Sequence, residues 1–354
     1  MPVVRKPDSA VSQPGGRSLC SWWLRTGRHP GREQMPLTTA LAFPPFSNPY
    51  PSGILRTIAH TTASVADALE MTDQKLAELG HPPVTPRLTG GTYESAPGSE
   101  SEYVHNLVAA TLVPYSVYAA LDLKVQPSIL LGHGAGFNVG SVITDLMTME
   151  ETIDVLLGGY AEAKSISLQG GMLALAVNQR TAGALCRQLS EDGLHVGMIN
   201  TPTQTVVCGR YDDLDLLESH AGRLGIPCRR LAAILPIHTP LFRPAALRAI
   251  QRSEERTVEP VLPPLYFTTE CRPIIETDTV RNASLAIWTK PANLIESVQD
   301  LQENFGVNHF IEINTTPTLA PMIVQNALPG TRVDGPPPGI TDAADVLPFL
   351  NGAY

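Results

Sequence analysis

Residues Pro127-Ser-Ile-Leu-Leu131-Gly132-His133-Gly134-Ala135-Gly136 decide the fold. Pro127 to Leu131 is a short apolar run suited to a buried strand, and Asn138 to Met147 can begin a helix. A strand, a glycine-framed turn and a helix make the frame of a nucleophile elbow, G-x-S-x-G. There the central residue sits on a sharp turn, its side chain exposed and backbone N–H groups aimed at an oxyanion. The centre should be Ser, or Cys in variants. Here it is Gly134, which has no side chain to attack with. The same glycines do not make a dinucleotide loop. G-x-G-x-x-G counted from Gly132 needs Gly at Phe137, and counted from Gly134 needs it at Val139.

Composition bounds the alternatives. A chain of 354 residues with 43% hydrophobic residues can bury a large core, in one large domain or two. No run approaches the roughly 18 to 20 apolar residues that span a bilayer, so no membrane span is expected. A net charge of −9 argues against a nucleic-acid partner, because phosphate contacts need clustered Lys and Arg. Cys20, Cys186, Cys208, Cys228 and Cys271 are odd in number and lack CxxC spacing. They signal neither a disulfide framework nor a zinc site, and they fit a reducing cytoplasm. Each reads as a small buried apolar side chain. No metal or cofactor is expected.

Residues 1–34 carry six cationic side chains, from Arg5 to Arg32, against Asp8 and Glu33. They read as a disordered extension, such as an upstream start codon before Met35 would add. A transit peptide is the sharper alternative. Beyond Met35, strands and helices alternate. Thr38 to Phe43 reads as a strand, Ile54 to Leu79 as broken helix, Gly90 to Glu102 as loop, Val104 to Leu121 as helix. Met149 to Ser167 is a helix with Glu150 and Glu151 at its positive end.

A regular block follows. Its strands are Met172 to Val177, Leu194 to Ile199, Thr205 to Cys208 and Pro227 to Leu235. Its helices are Arg180 to Glu191 and Asp212 to Leu224. This β-α-β-β-α-β order is ferredoxin-like. Then come a helix from Pro240 to Arg252, a link at Pro260 to Pro264, alternating elements to Met322, and a tail expected to be loose from Pro329 to Ala343. The expected organisation is a large α/β subdomain (35–171 and 239–325), an inserted ferredoxin-like subdomain (172–238) and a C-terminal tail (326–354).

From Thr38 to Met322 the chain resembles the malonyl-CoA:acyl-carrier-protein transacylases and the acyltransferase domains of polyketide synthases. Gly132-His-Gly-Ala-Gly136 stands for the family's GHSxG, and Asn200 to Gly209 (NTPTQTVVCG) for NxPxxxVVSG. Leu235-Pro-Ile-His-Thr-Pro-Leu-Phe242 is similar to the segment that carries the family's catalytic His. Trp288 to Asn293 and Phe310 to Leu319 resemble its PVxW and EVGPGxxL regions. The resemblance implies an α/β-hydrolase-like large subdomain with a ferredoxin-like insertion. It also implies ping-pong transfer from an acyl-CoA, through an acyl-Ser, to the pantetheine thiol of an acyl carrier protein.

Carried over by position, the family's machinery is depleted. Gly134 takes the nucleophile's place, Phe46 that of the oxyanion Gln, and Phe137 that of an acidic residue. The Arg that clamps malonyl carboxylates falls on Gly159 or Lys164, depending on the direction of counting. His238, the base, and His133, beside the elbow, remain. Ala135 follows the nucleophile position, where the family's oxyanion N–H lies, and Asn200 belongs to the second motif. Ser47, Thr239, Thr315 and Thr316 carry hydroxyls near these landmarks and read first as turn or cap residues. The expected function is a defective acyltransferase acting as a binding or assembly partner in polyketide or fatty-acid biosynthesis, with a carrier protein or acyl-CoA thioester as ligand. The alternative is an enzyme in which His238 assists thioester hydrolysis or transfer without a Ser.

Overall fold

The computed structural model describes residues 38–46, 49–93, 99–123, 127–251, 263–275 and 278–353. The expected extension at 1–34, Cys20, Ser47 and most of the Pro260 to Pro264 link lie outside the described residues.

Three central strands pair in parallel and are buried almost end to end, as strands covered on both faces must be. β1 (Thr39–Phe43) lies between β2 (Ile129–Gly132) and a later strand, β10 (His309–Glu312). Alternate residues serve two cores. Leu41, Phe43 and Leu130 face one cluster, and Ala40, Ala42, Leu131 and Phe310 face the other. Phe43 stands level with Gly132, and Ala42 with Glu312. The loops leaving β1, β2 and β10 therefore emerge together at the carboxyl end of the sheet, where α/β folds open their crevice.

Helices cover this sheet: α1 (Ile58–Thr61), α2 (Ala63–Glu78), α3 (Thr85–Thr89), α4 (Glu100–Ala119), α5 (Gly136–Ile143) and α6 (Met149–Ser165). The stretch read as loop to Glu102 ends earlier, because the Ser99 hydroxyl accepts from the Glu102 N–H at 3.2 Å and starts α4 at Glu100. Ser-x-x-Glu is a capping signal that the Gly- and Ser-rich composition masked. α4 is buried around most of its circumference, as expected for a central helix that is apolar on every face. α5 begins and ends earlier than expected. α6 starts with a full capping box, Thr148 bonded to the Glu151 N–H at 3.1 Å and Glu151 to the Thr148 N–H at 2.7 Å.

The second sheet contains β3 (Gly171–Leu175), β4 (Leu194–Thr201), β5 (Gln204–Gly209) and β6 (Cys228–Arg230), with α7 (Gln179–Leu189) and α8 (Tyr211–Arg223) on one face. Its order, β6-β3-β5-β4, is antiparallel and ferredoxin-like. The last strand is shorter than the expected Pro227 to Leu235. β6 has β3 as its partner, and the ladder stops with Arg230 opposite Leu173.

The chain then passes through a 3-10 turn (Pro240–Phe242) into α9 (Arg243–Ile250), and through β7 (Leu265–Phe267) and β8 (Arg272–Pro273) into α10 (Val280–Thr289). After α10, β9 (Ala292–Asn293) joins the second sheet in parallel beside β4, Met198 level with Ala292. No sequence pattern marks this two-residue strand, and it ties the inserted sheet to the body of the chain. α11 (Leu294–Phe305), β10, α12 (Ala320–Asn326), β11 (Arg332–Asp334) and α13 (Leu347–Ala353) follow. The tail expected to be loose contains β11, paired with β10 and held by His309 Nε2 to Asp334 at 2.7 Å. Ala343, Val346 and Leu350 enter the main core. Among the described residues no helix is long and apolar enough to cross a membrane.

Candidate active site

The elbow forms where the sequence places it. β2 ends at Gly132, Gly134 takes φ +54°, and α5 begins at Gly136. The outer glycines are packing residues. A Cβ at Gly136 would overlap the Phe43 carbonyl of β1, and one at Gly132 would meet Phe137 Cα at 2.6 Å. Gly134 differs from both. A Cβ there would stand 3.2 Å from Pro45 Cβ and 3.3 Å from Met198 Cε, tight contacts without overlap. The apex of the turn is thus bounded by the loop after β1 and by one side chain of the second sheet.

Met198 reaches the elbow from a bulge. The β4–β5 register shifts between Val196 and Met198, and the intervening Gly197 has no room for a Cβ because Cys208 Sγ fills it. Such a bulge re-aims a side chain. Nothing in the sequence beyond that glycine points to Met198.

His133 is fully buried, and both ring nitrogens are engaged. Nε2 lies 3.1 Å from Asn200 Oδ1, and Nδ1 lies 2.9 Å from Thr268 Oγ1. Asn200 Nδ2 donates to Gln204 Oε1 at 2.8 Å. Oδ1 is thereby left as the acceptor, so Nε2–H donates and Nδ1 accepts from Thr268. Burial, with a smaller contribution from neighbouring His238, depresses the His133 pKa to about 4. It is a neutral bridge between the elbow, the second sheet and the loop after β7, not a free base. Thr268 is the partner that sequence reading does not supply.

His238 sits at φ +65°, a region that costs a non-glycine residue energy and persists where its surroundings fix it. Its N–H donates to the Trp288 carbonyl at 2.8 Å. Its Cβ packs 3.6 Å from where a Gly197 Cβ would be. Burial lowers its pKa to about 4, although the carbonyls of Ile287 and Lys290 pull the other way. Nδ1 is buried without a hydrogen-bond partner among the described residues. The imidazole is neutral and has an unused nitrogen.

The remaining site residues are dispersed. Phe46 packs partly buried against both sheets' clusters, its ring edge-on to Tyr103 at 6.2 Å. Ala135 precedes α5 and its N–H makes no backbone bond among the described residues. Lys164 is exposed and pairs with Glu100 at 2.5 Å. Gly159, the other candidate for the carboxylate clamp, lies under the Trp288 indole, where a Cβ would meet Cη2 at 2.9 Å. Thr239 donates to the Pro236 carbonyl at 2.6 Å, a turn role. Phe137 is buried against Phe267, with ring centroids 5.7 Å apart. Burial pushes the Cys186 and Cys271 thiols up to about 11 and that of Cys208 further still, so none is a ready thiolate.

Known structures share this fold. The acyltransferase domain from module 8 of the salinomycin polyketide synthase superposes with TM-score 0.74 at 20% identity, over 89% of this chain and 74% of that one. The malonyl CoA-acyl carrier protein transacylase of Coxiella burnetii gives 0.73 at 17%, over 90% and 99%. A malonyl-transacylase in complex with its type II polyketide synthase acyl-carrier protein gives 0.71 at 17%, over 89% and 99%. The chain has the acyltransferase fold.

By sequence, this acyltransferase-fold chain is 27% identical over 221 residues to the spectinabilin polyketide synthase system protein NorA' of Streptomyces orinoci. That match takes in 60% of this chain and 6% of the relative. It is also 27% identical over 221 residues to the 6-methylsalicylic acid synthase of Penicillium terrestre, 60% of this chain and 12% of the relative. The chain therefore spans a small part of the curated relatives it matches. No family model matches it.

Proposed function

We propose that this chain is an acyltransferase-fold protein of polyketide or fatty-acid assembly that forms no Ser-linked acyl-enzyme and serves as a binding or assembly partner, with an acyl carrier protein or acyl-CoA thioester as its ligand. The observation that carries this reading is Gly134. It holds the elbow's positive φ, and Pro45 and Met198 bound the place of the missing side chain. Loss of a nucleophile costs on the order of a million-fold in turnover, and loss of an oxyanion donor about 100- to 1,000-fold. Phe46 offers no donor in the Gln position, and neither Gly159 nor Lys164 offers a clamp. The carrier-protein assignment leans on the transacylase whose structure includes its carrier, and on relatives that are polyketide synthases.

One observation favours a second reading. His238 is neutral with Nδ1 unpartnered among the described residues, the state a general base needs. A water activated there would hydrolyse a bound thioester.

Incubation with malonyl-CoA and holo-acyl carrier protein, followed by intact-mass measurement, should leave the chain unmodified, and titration calorimetry should register carrier binding. A covalent adduct would overturn the non-acylating reading. Thioester turnover that vanishes in His238→Ala would replace it with hydrolysis.

A further inference from the structure

Arg87, on α3, is a buried cation without a counter-ion. It is 7% exposed, and among the described residues no carboxylate pairs with it. Its Nη2 donates to Asn106 Oδ1 at 2.6 Å, a neutral acceptor that meets a hydrogen bond and leaves the charge unanswered. Its Nη1 is buried with no hydrogen-bond partner among the described residues. A charge taken out of water is expensive unless it is paired.

Two more unmet atoms belong to the side chains stacked beside it. Arg87 Cζ lies 5.9 Å from the centre of the Tyr93 ring, and the Tyr93 and His105 ring centroids are 5.0 Å apart. Tyr93 Oη and His105 Nδ1 are both buried and without a partner among the described residues. His105 Nε2 lies 2.7 Å from the Pro82 carbonyl, which can only accept. Nε2 therefore carries the proton, and Nδ1 is an acceptor. Burial, helped by the Arg87 charge, lowers the His105 pKa against the pull of the Pro82 carbonyl and of Asp73, so the ring is neutral at pH 7. Asp73 is itself occupied, accepting from the Val84 and Thr85 N–H groups at 2.7 and 3.1 Å.

Buried polar atoms are nearly always satisfied, and these three specify what would satisfy them. Arg87 Nη1 is a charged donor, Tyr93 Oη a neutral one, and His105 Nδ1 needs a hydrogen. A water could meet the hydrogen bonds but not the charge. A halide could meet the charge but has no hydrogen for Nδ1. A singly charged oxyanion with a hydroxyl meets all three. Gly90, Gly91 and Thr92, just before Tyr93, are exposed, so the cluster lies close beneath the surface.

We infer that Arg87, Tyr93 and His105 form a binding site for a small hydroxylated monoanion, of which hydrogencarbonate is the simplest. Its oxygens accept from Arg87 Nη1 and Tyr93 Oη, and its hydroxyl donates to His105 Nδ1. A dianion is disfavoured, since these three residues supply a single positive charge. The inference is independent of whether the elbow is inert.

Thermal unfolding in degassed buffer at pH 8 and constant ionic strength tests it, with sodium hydrogencarbonate and sodium formate titrated in parallel. Formate is the same planar anion with hydrogen in place of the hydroxyl. A ligand that binds only the folded chain raises the unfolding midpoint in a saturable way. Hydrogencarbonate should do so, and formate should need at least tenfold more to reach the same shift. Arg87→Met should abolish the saturable shift. Tyr93→Phe changes a half-buried residue by one hydroxyl, so it keeps the test open should Arg87→Met fail to fold. It should weaken hydrogencarbonate about tenfold, as loss of a hydrogen bond to a charged group does. No saturable shift would mean that Arg87 is met from within the chain, and would overturn the site. Equal potency of formate, or an unchanged titration in Tyr93→Phe, would overturn the assignment of its ligand. These readouts use no thioester, so the fate of the non-acylating reading does not affect them.

Discussion

Trp288 holds His238 and covers Gly159. Its carbonyl accepts the His238 N–H at 2.8 Å, and its indole occupies the space a side chain at Gly159 would need. Phe242 packs edge-on against the same indole, with centroids 5.6 Å apart. The space beside Gly159 is thus filled by the residue that holds His238.

Restoring an arginine should therefore fail. Gly159→Arg must displace a buried indole, and overpacking of this kind costs about 1–3 kcal/mol. Urea titration should show that loss, and malonyl-CoA binding should not improve. An unchanged midpoint would mean that Trp288 moves aside freely.

Gly134→Ser alone should not self-acylate. A positive φ costs a residue with a Cβ about 1–2 kcal/mol, and Met198 stands against the new side chain. Gly134→Ser combined with Met198→Ala gives the hydroxyl room. Intact-mass measurement after exposure to malonyl-CoA should detect an adduct in the double variant only. Acylation of the single variant at the same rate would show that Met198 does not obstruct the site.

Stability should fall between pH 6.5 and about 4. His133 and His238 are both held neutral, each with its pKa lowered from 6.5 to about 4. In that window the unfolded chain binds the protons that the folded chain refuses, so stability is fully present above 6.5 and is lost as the pH drops. At about 1.4 kcal/mol per pH unit, each imidazole accounts for roughly 3 kcal/mol. Urea midpoints measured from pH 7.5 to 4.5 should trace this slope, and His238→Asn should remove about half of it. A slope unaffected by that variant would place the titration elsewhere.

Thr268→Val should cost about 1–3 kcal/mol, because it leaves the His133 Nδ1 acceptor buried and unmet. Asn200→Ala should cost at least as much, since it frees the second sheet from the elbow as well. A double-mutant cycle should show the two coupled through His133. Additive losses would mean that the bridge is not a unit.

The elbow was legible because its glycines are spaced in the sequence itself, between an apolar run and a helix, although the Phe43 carbonyl that excludes a Cβ at Gly136 lies on β1, far away in the chain. The ferredoxin-like order of β3 to β6 was legible too, since alternation and turn residues are short-range properties. The lengths of β6 and of the expected tail were not, for the opposite reason. Strand pairing is decided by a partner far away in the chain, and β11 exists because β10 offers an edge.

The sequence by itself determined that Gly134, not Ser or Cys, centres the glycine-framed turn and that a histidine stands at 238. These are identities, and no folding changes them. Tertiary structure decided what surrounds the gap. Met198 arrives through a bulge, Thr268 and Asn200 fix the tautomer of His133, and Trp288 covers Gly159. Those contacts join residues far apart in the chain, and their directions depend on register, bulge and packing, which no local pattern records.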